Sequence, residues 1–125
     1  MKILIADDEA LARERIVELL RDIPDCTLTG QAVNGRDAVE QAITLQADVV
    51  IMDIAMPVMD GLEAIRQIRQ SSEPRLREVP IICLSGLAVA GDMEKCLAAG
   101  ATSYLAKPFG VQQLQRAIRS FLPLP

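Results

Sequence analysis

Histidine is absent from this sequence. That removes catalytic triads built on imidazole, His-ligated metal sites and any role as a phosphohistidine carrier. Aromatic residues are nearly absent too, with one Tyr, two Phe and no Trp, so Leu, Ile, Val, Ala and Met must build the core. Cys26, Cys83 and Cys96 are too scattered for a CxxC pair. Such a set fits reduced thiols better than a disulfide framework or a zinc site, and Cys83, in an apolar run, reads as a small core residue. No GxxxxGK[ST] or GxGxxG occurs, so nothing points to nucleotide binding. No apolar run reaches transmembrane length. The start, MKILIADDE, turns acidic too soon for a signal peptide, so a cytoplasmic protein is expected, with no membrane partner. Basic charge is also scarce. The net charge of −4 and dispersed Arg residues argue against direct nucleic-acid binding.

What is present suits one globular domain. The chain has 125 residues, half of them hydrophobic. Five short apolar runs alternate with helical patterns. Strands are expected at Lys2–Ala6, Thr27–Val33, Asp48–Met52, Val79–Leu84 and Thr102–Ala106. Between the first two, Ala12, Ile16, Leu19, Leu20 and Ile23 recur at helical spacing until Pro24-Asp25. Asn34 is expected to cap a helix that turns Val39, Ala42 and Ile43 inward. Asp60 heads another helix, with Glu63 completing an approximate capping box and Leu62, Ile65 and Ile68 inside. Ser71–Glu78 reads as a polar loop. A helix is expected around Asp92–Ala99, ended by Gly100. Val111, Leu114, Ala117, Ile118, Phe121 and Leu122 stripe the last one. Met52, Met56, Met59 and Met93 read as core or rim filler, and the Arg residues of the first and third helices as solvated faces.

The pattern is α/β, a doubly wound (βα)₅ three-layer sandwich of the flavodoxin-like class. Continuous apolar strands joined by helices imply a parallel sheet covered on both faces. The expected strand order is 2-1-3-4-5, because the second strand is the least apolar. Residues 1–122 form the expected domain, and 123–125 a tail or the start of a linker. In such sheets ligands bind at the carboxyl ends of the strands. Those ends carry Asp7 and Asp8, Asp53, Ser85 and Lys107. Carboxylates about 4 Å apart repel by roughly 4 kcal/mol per pair at an effective dielectric of about 20. A hard divalent cation such as Mg²⁺ relieves this, and with Lys107 it brings the local charge to zero. A carboxylate beside such charge can act as a nucleophile toward phosphorus.

At this point the sequence resembles the receiver-domain family of two-component signalling. The matching pieces are ILIADDE at 3–9, VVIMDIAMPVMDG at 49–61, IICLSG at 81–86 and YLAKPF at 104–109, within a likeness running from about Lys2 to Leu122. The resemblance implies that Asp53 accepts a phosphoryl group from a histidine kinase or a phosphotransfer protein. It implies that Asp8 and Asp7 hold Mg²⁺ together with Asp53 and the backbone carbonyl of Ala55. Lys107 matches the lysine that pairs with the acceptor, Ser85 the switch hydroxyl and Tyr104 the aromatic switch residue. A cis Lys107–Pro108 bond is also implied. The resemblance makes the domain a switch and not a turnover enzyme, with its output on the face of the Asp92–Ala99 helix, the fifth strand and the last helix. Homodimers through that face are a family possibility. Gly86 stands where Ala is usual, and Ala55 and Leu87 stand where the family tunes dephosphorylation. Neither side chain can position a water, so self-dephosphorylation is expected to be slow.

Two other readings compete. A phosphorylation-independent pseudo-receiver would usually lose an acidic residue or the lysine, and this sequence keeps them all. A haloacid-dehalogenase-like phosphatase would need a second Asp where Ala55 stands. The opening MKILIADDEALARER resembles regulators with DNA-binding output domains, whereas AGDMEKCLAAGATSYLAKPF resembles receivers on hybrid kinases. Ordinary divergence and an engineered or composite sequence both fit that mixture.

Overall fold

A computed structural model describes residues 1–86 and 91–121. The elements are β1 (Lys2–Ala6), α1 (Ala10–Arg21), β2 (Thr27–Ala32), α2 (Gly35–Leu45), β3 (Val49–Asp53), α3 (Gly61–Arg69), α4 (Pro74–Glu78), β4 (Ile81–Ser85), α5 (Asp92–Ala99), β5 (Ser103–Ala106) and α6 (Val111–Arg119). All strand pairs are parallel, in the order β2-β1-β3-β4-β5. The expected order is therefore observed. β2, with Thr27, Gly30 and Gln31, takes an edge where polar residues can reach water.

Alternate residues of the central strands feed two cores. Leu4, Val50, Met52, Ile81 and Cys83 pack with Ala38 and Ala42 of α2, Ile65 and Ile68 of α3, and Cys96 of α5. Ile3, Ile5, Val49, Ile51, Ile82 and Leu84 pack with Ile16 and Leu20 of α1 and Leu114 and Ile118 of α6. Strands clothed on both faces must be apolar at every position, which is why β1, β3 and β4 read as unbroken runs.

The helix termini follow local chemistry. Asn34 Oδ1 accepts from the Asp37 N–H at 2.8 Å, and Asp60 Oδ1 accepts from the Glu63 N–H at 2.9 Å. Only half of the expected capping box forms. The Glu63 carboxylate turns forward to Arg66 at 3.2 Å instead of reaching back. Gly100 ends α5 at φ 119, a conformation that favours glycine.

Several expectations are corrected. Ser71–Glu78 is not all loop, because Pro74–Glu78 forms a short helix with Pro74 in its first turn and Leu76 fully buried. A single apolar residue among charges carries no periodicity, so the sequence shows no helix there. Ile43 is 47% exposed, and Ala38 takes the inward place that α2 was expected to give it. Met93 is exposed too, whereas Met52 and Met56 are buried. α1 stops at Arg21, before Pro24, and Ile23 is buried in the turn that follows. Arg13 of α1 and Arg69 of α3 are only partly solvated and make contacts within the fold. Arg69 donates to the carbonyls of Gly100 at 2.8 Å and Leu76 at 3.0 Å, tying α3 to α4 and to the end of α5. The expected end of the last helix at Leu122 lies outside the described residues.

Between β3 and α3, Val58 adopts φ 68 while 71% exposed. The Met59 N–H donates to the Pro57 carbonyl at 2.7 Å, closing a γ-turn centred on this β-branched residue. Val58→Gly relieves that strain and adds some unfolded-state entropy. The net expectation is about 1 kcal/mol of added stability, read as a higher urea midpoint at unchanged slope. An unchanged or lower midpoint would show the turn to be unstrained.

Candidate functional site

Four of the five strand ends at the carboxyl edge of the sheet, those of β1, β3, β4 and β5, deliver their expected residues. Asp7 follows β1, with its N–H bonded to the Ala32 carbonyl of β2 at 3.0 Å. Asp53 is the last residue of β3 and pairs in register with Leu84. Ser85 ends β4, and its carbonyl accepts the Lys107 N–H at 2.8 Å just beyond β5. These ladder bonds align the strand ends, so residues up to 100 positions apart meet at one rim.

Lys107 Nζ lies 3.0 Å from Asp7 Oδ2 and 3.1 Å from Asp53 Oδ1. Asp7 is fully buried and Asp53 is 5% exposed, while Asp8 is open to solvent. Carboxylate oxygens of Asp7, Asp8 and Asp53 all lie within 4.8 Å of one another. The other oxygen of Asp7 accepts the Glu9 N–H at 3.0 Å ahead of α1. Arg13 donates to the Asp7 carbonyl at 2.7 Å and to Gln31 Oε1 at 3.2 Å, holding the end of β1 against β2. The Lys107–Pro108 peptide is cis, as the resemblance implies.

The electrostatics follow from this geometry. Burial pushes the Asp53 carboxyl up to about 6, with the charge of Asp7 adding to the rise and Lys107 opposing it. For Lys107, burial would favour the neutral amine, but the contacts with Asp7 and Asp53 outweigh it and hold the pKa above its usual value. One ammonium thus faces three carboxylates. The donor set is three hard oxygen ligands, one open to solvent and therefore to water ligands. It fits Mg²⁺ and offers nothing to a soft metal.

Ala55 is exposed in the turn after β3, two residues beyond Asp53. Tyr104 pairs in register with Cys83 and is half-buried against the α2–α3–α5 core. Ser85 is buried, and its hydroxyl donates to Asp92 Oδ2 at 2.6 Å. Leu87 lies outside the described residues.

Sequence reasoning missed four contributors. Asp92 figured only as the start of an expected helix, and Arg13 as a solvated residue. Gly35 and Gly61 carried no signal beyond being glycine. A Cβ on Gly61 would stand 2.1 Å from the Asp53 carbonyl oxygen, and one on Gly35 would stand 2.2 Å from that of Met59. The starts of α2 and α3 therefore press against the backbone of the loop beside Asp53, an approach that only glycine permits.

Known proteins place this arrangement. Residues 3–119 match the model of the response regulator receiver domain. A protein-glutamate methylesterase/protein-glutamine glutaminase of Methanosarcina acetivorans is 45% identical over 109 residues, covering 86% of this chain and 30% of that protein. One from Carboxydothermus hydrogenoformans is 42% identical over 117 residues, covering 92% of this chain and 32% of that protein. The chain thus spans about a third of the length of the curated relatives it matches. The receiver domain of a sensor histidine kinase from Pseudomonas aeruginosa, solved with a magnesium ion in its active-site cleft, superposes with a TM-score of 0.85 at 38% identity, covering 96% of this chain and 95% of that one. The response regulator domain of CheB from Thermotoga maritima gives a TM-score of 0.83 at 28% identity, covering 100% and 98%. With its fold, its acidic rim and its bridging lysine, the chain belongs to the response regulator receiver domain family of two-component signalling.

Proposed function

We propose that Asp53 is the phosphoacceptor of this receiver domain, and that Asp7, Asp8, Asp53 and the backbone carbonyl of Ala55 hold Mg²⁺ beside it. The observation that carries this reading is the Lys107 ammonium set between Asp7 and Asp53, with the Asp8 carboxylate completing the cluster. A lysine so placed keeps Asp53 oriented, then pairs with the oxygens of an incoming phosphoryl group. An Asp53 carboxylate oxygen attacks phosphorus, and the P–N bond of a donor phosphohistidine breaks, its electron pair leaving with the imidazole. Bound Mg²⁺ supplies charge neutralisation for that transfer. The chain itself supplies alignment and the pairing ammonium, which makes it a regulatory module that promotes its own modification and not a turnover enzyme. The donor is a histidine kinase or a phosphotransfer protein in the cytoplasm, and the receiver unit runs over 1–122. After transfer, Ser85 and Tyr104 shift the α5–β5–α6 face toward its binding-competent state, for a downstream protein, an output domain or a second copy.

Acetyl phosphate with Mg²⁺ tests this. Intact-mass measurement is expected to show one phosphoryl group on the parent chain and none on Asp53→Asn, with association state followed before and after. Because the Ala55 side chain cannot activate water, the phosphoryl group is expected to persist for minutes or longer without a phosphatase. A folded parent that takes up no phosphoryl group would overturn the assignment. Loss of the group within seconds would overturn only the slow hydrolysis.

A further inference from the structure

The Ser85 hydroxyl has one proton to give. Here it gives that proton to Asp92, at 2.6 Å. An O–H to carboxylate bond of that length is charge-assisted, the stronger class of hydrogen bond. Ser85 is 4% exposed, so water competes weakly for the contact. Asp92 is the first residue of α5, immediately after Gly91 at φ 94. The bond therefore runs from the end of β4, beside the acidic rim, to the start of the helix on the output face.

We propose that Asp92 is a positioning residue, a latch that holds the Ser85 hydroxyl away from the phosphoryl site and opposes activation. The inference rests on Ser85 being the switch hydroxyl and extends that reading to what restrains it. The same proton cannot bond Asp92 and a phosphoryl oxygen on Asp53. Engagement of the phosphoryl group must therefore release Asp92, and with it the first turn of α5. The coupling is reciprocal, so whatever weakens the Asp92 contact strengthens phosphoryl binding by the same factor. A carboxylate is the right group for such a latch. It offers only acceptors and has no proton with which to satisfy Ser85 in any other arrangement.

The test is the Mg²⁺-dependent affinity for beryllofluoride, a phosphoryl mimic, across a double-mutant cycle on the intact chain. Asp92→Ala is expected to bind about tenfold tighter than the parent, as loss of one charge-assisted hydrogen bond implies. Asp92→Asn keeps a neutral acceptor and the side-chain shape, and is expected to fall between the two. It also guards against loss of the first turn of α5 in the alanine variant. In a Ser85→Ala background the gain should vanish. A role in α5 stability, or simple repulsion of the anion, would survive in that background, and its survival would overturn the latch. No gain in either Asp92 variant would do the same while leaving Asp53 as acceptor. A folded parent blind to beryllofluoride would sink the phosphoacceptor reading and the latch with it.

Discussion

Asp53→Asn is expected to stabilise the cation-free protein by about 3 kcal/mol at neutral pH, although it destroys the proposed acceptor. The folded-state carboxyl sits at about 6 against 3.8 in the unfolded chain. Below the lower value Asp53 is protonated in both states and contributes nothing. Between the two values the folded state binds more protons, so stability falls as pH rises. Above about 6 the whole penalty is present, because a buried carboxylate beside Asp7 has only part of its charge compensated by Lys107. Asparagine fills the same space without the charge and should flatten this part of the profile. Urea unfolding in a chelator, at intervals from about pH 4 to pH 8, measures the difference between the two proteins. Parallel profiles would show that the acidic rim is not frustrated. Added Mg²⁺ should stabilise the parent more than the variant and shrink the gap.

Gly61→Ala is expected to cost about 3 kcal/mol or more, the upper range for forced overpacking. The added methyl group would sit 2.1 Å from the Asp53 carbonyl oxygen and 2.9 Å from its carbonyl carbon. Both belong to the backbone of a central strand, which cannot yield as a flexible side chain can. The Gly61 N–H also donates to the Ile54 carbonyl at 2.9 Å, so the start of α3 cannot back away without losing that bond. If the variant folds, the end of β3 must move, and uptake of the phosphoryl group should drop with stability. Gly86→Ala is the matched control. Among the described residues its Cβ would meet only Lys107 Cδ, at 4.0 Å, an ordinary contact. Comparable denaturant midpoints for the two variants would show that Gly61 is not a steric requirement.

Much of the site was legible because receiver chemistry lies at strand ends, and strand ends are visible as places where apolar runs stop. IADDE, IMDI, CLSG and LAKP each break an apolar run with a polar group. Less legible were contacts whose partners are distant in the chain. Nothing in the sequence tells that Arg69 reaches two backbone carbonyls and the Thr102 hydroxyl while Arg66 stays on the surface, because both occupy the same helix with the same side chain. The inward place of Ala38 over Ile43 was equally hidden. A helix pressed close to a sheet selects small residues for the contact, and hydrophobicity alone ranks them below isoleucine.

Sequence alone determined the order of the strands and of every helix but α4, the parallel sheet and the residue types at its carboxyl edge, since these follow from local periodicity and from where that periodicity ends. Tertiary structure alone decided which groups touch. Lys107 meets Asp7 across 100 residues, Gly61 admits the Asp53 carbonyl, and Ser85 spends its proton on Asp92. Periodicity is a property of neighbours along the chain. Distances between strand ends are set by register and packing, which no local pattern encodes.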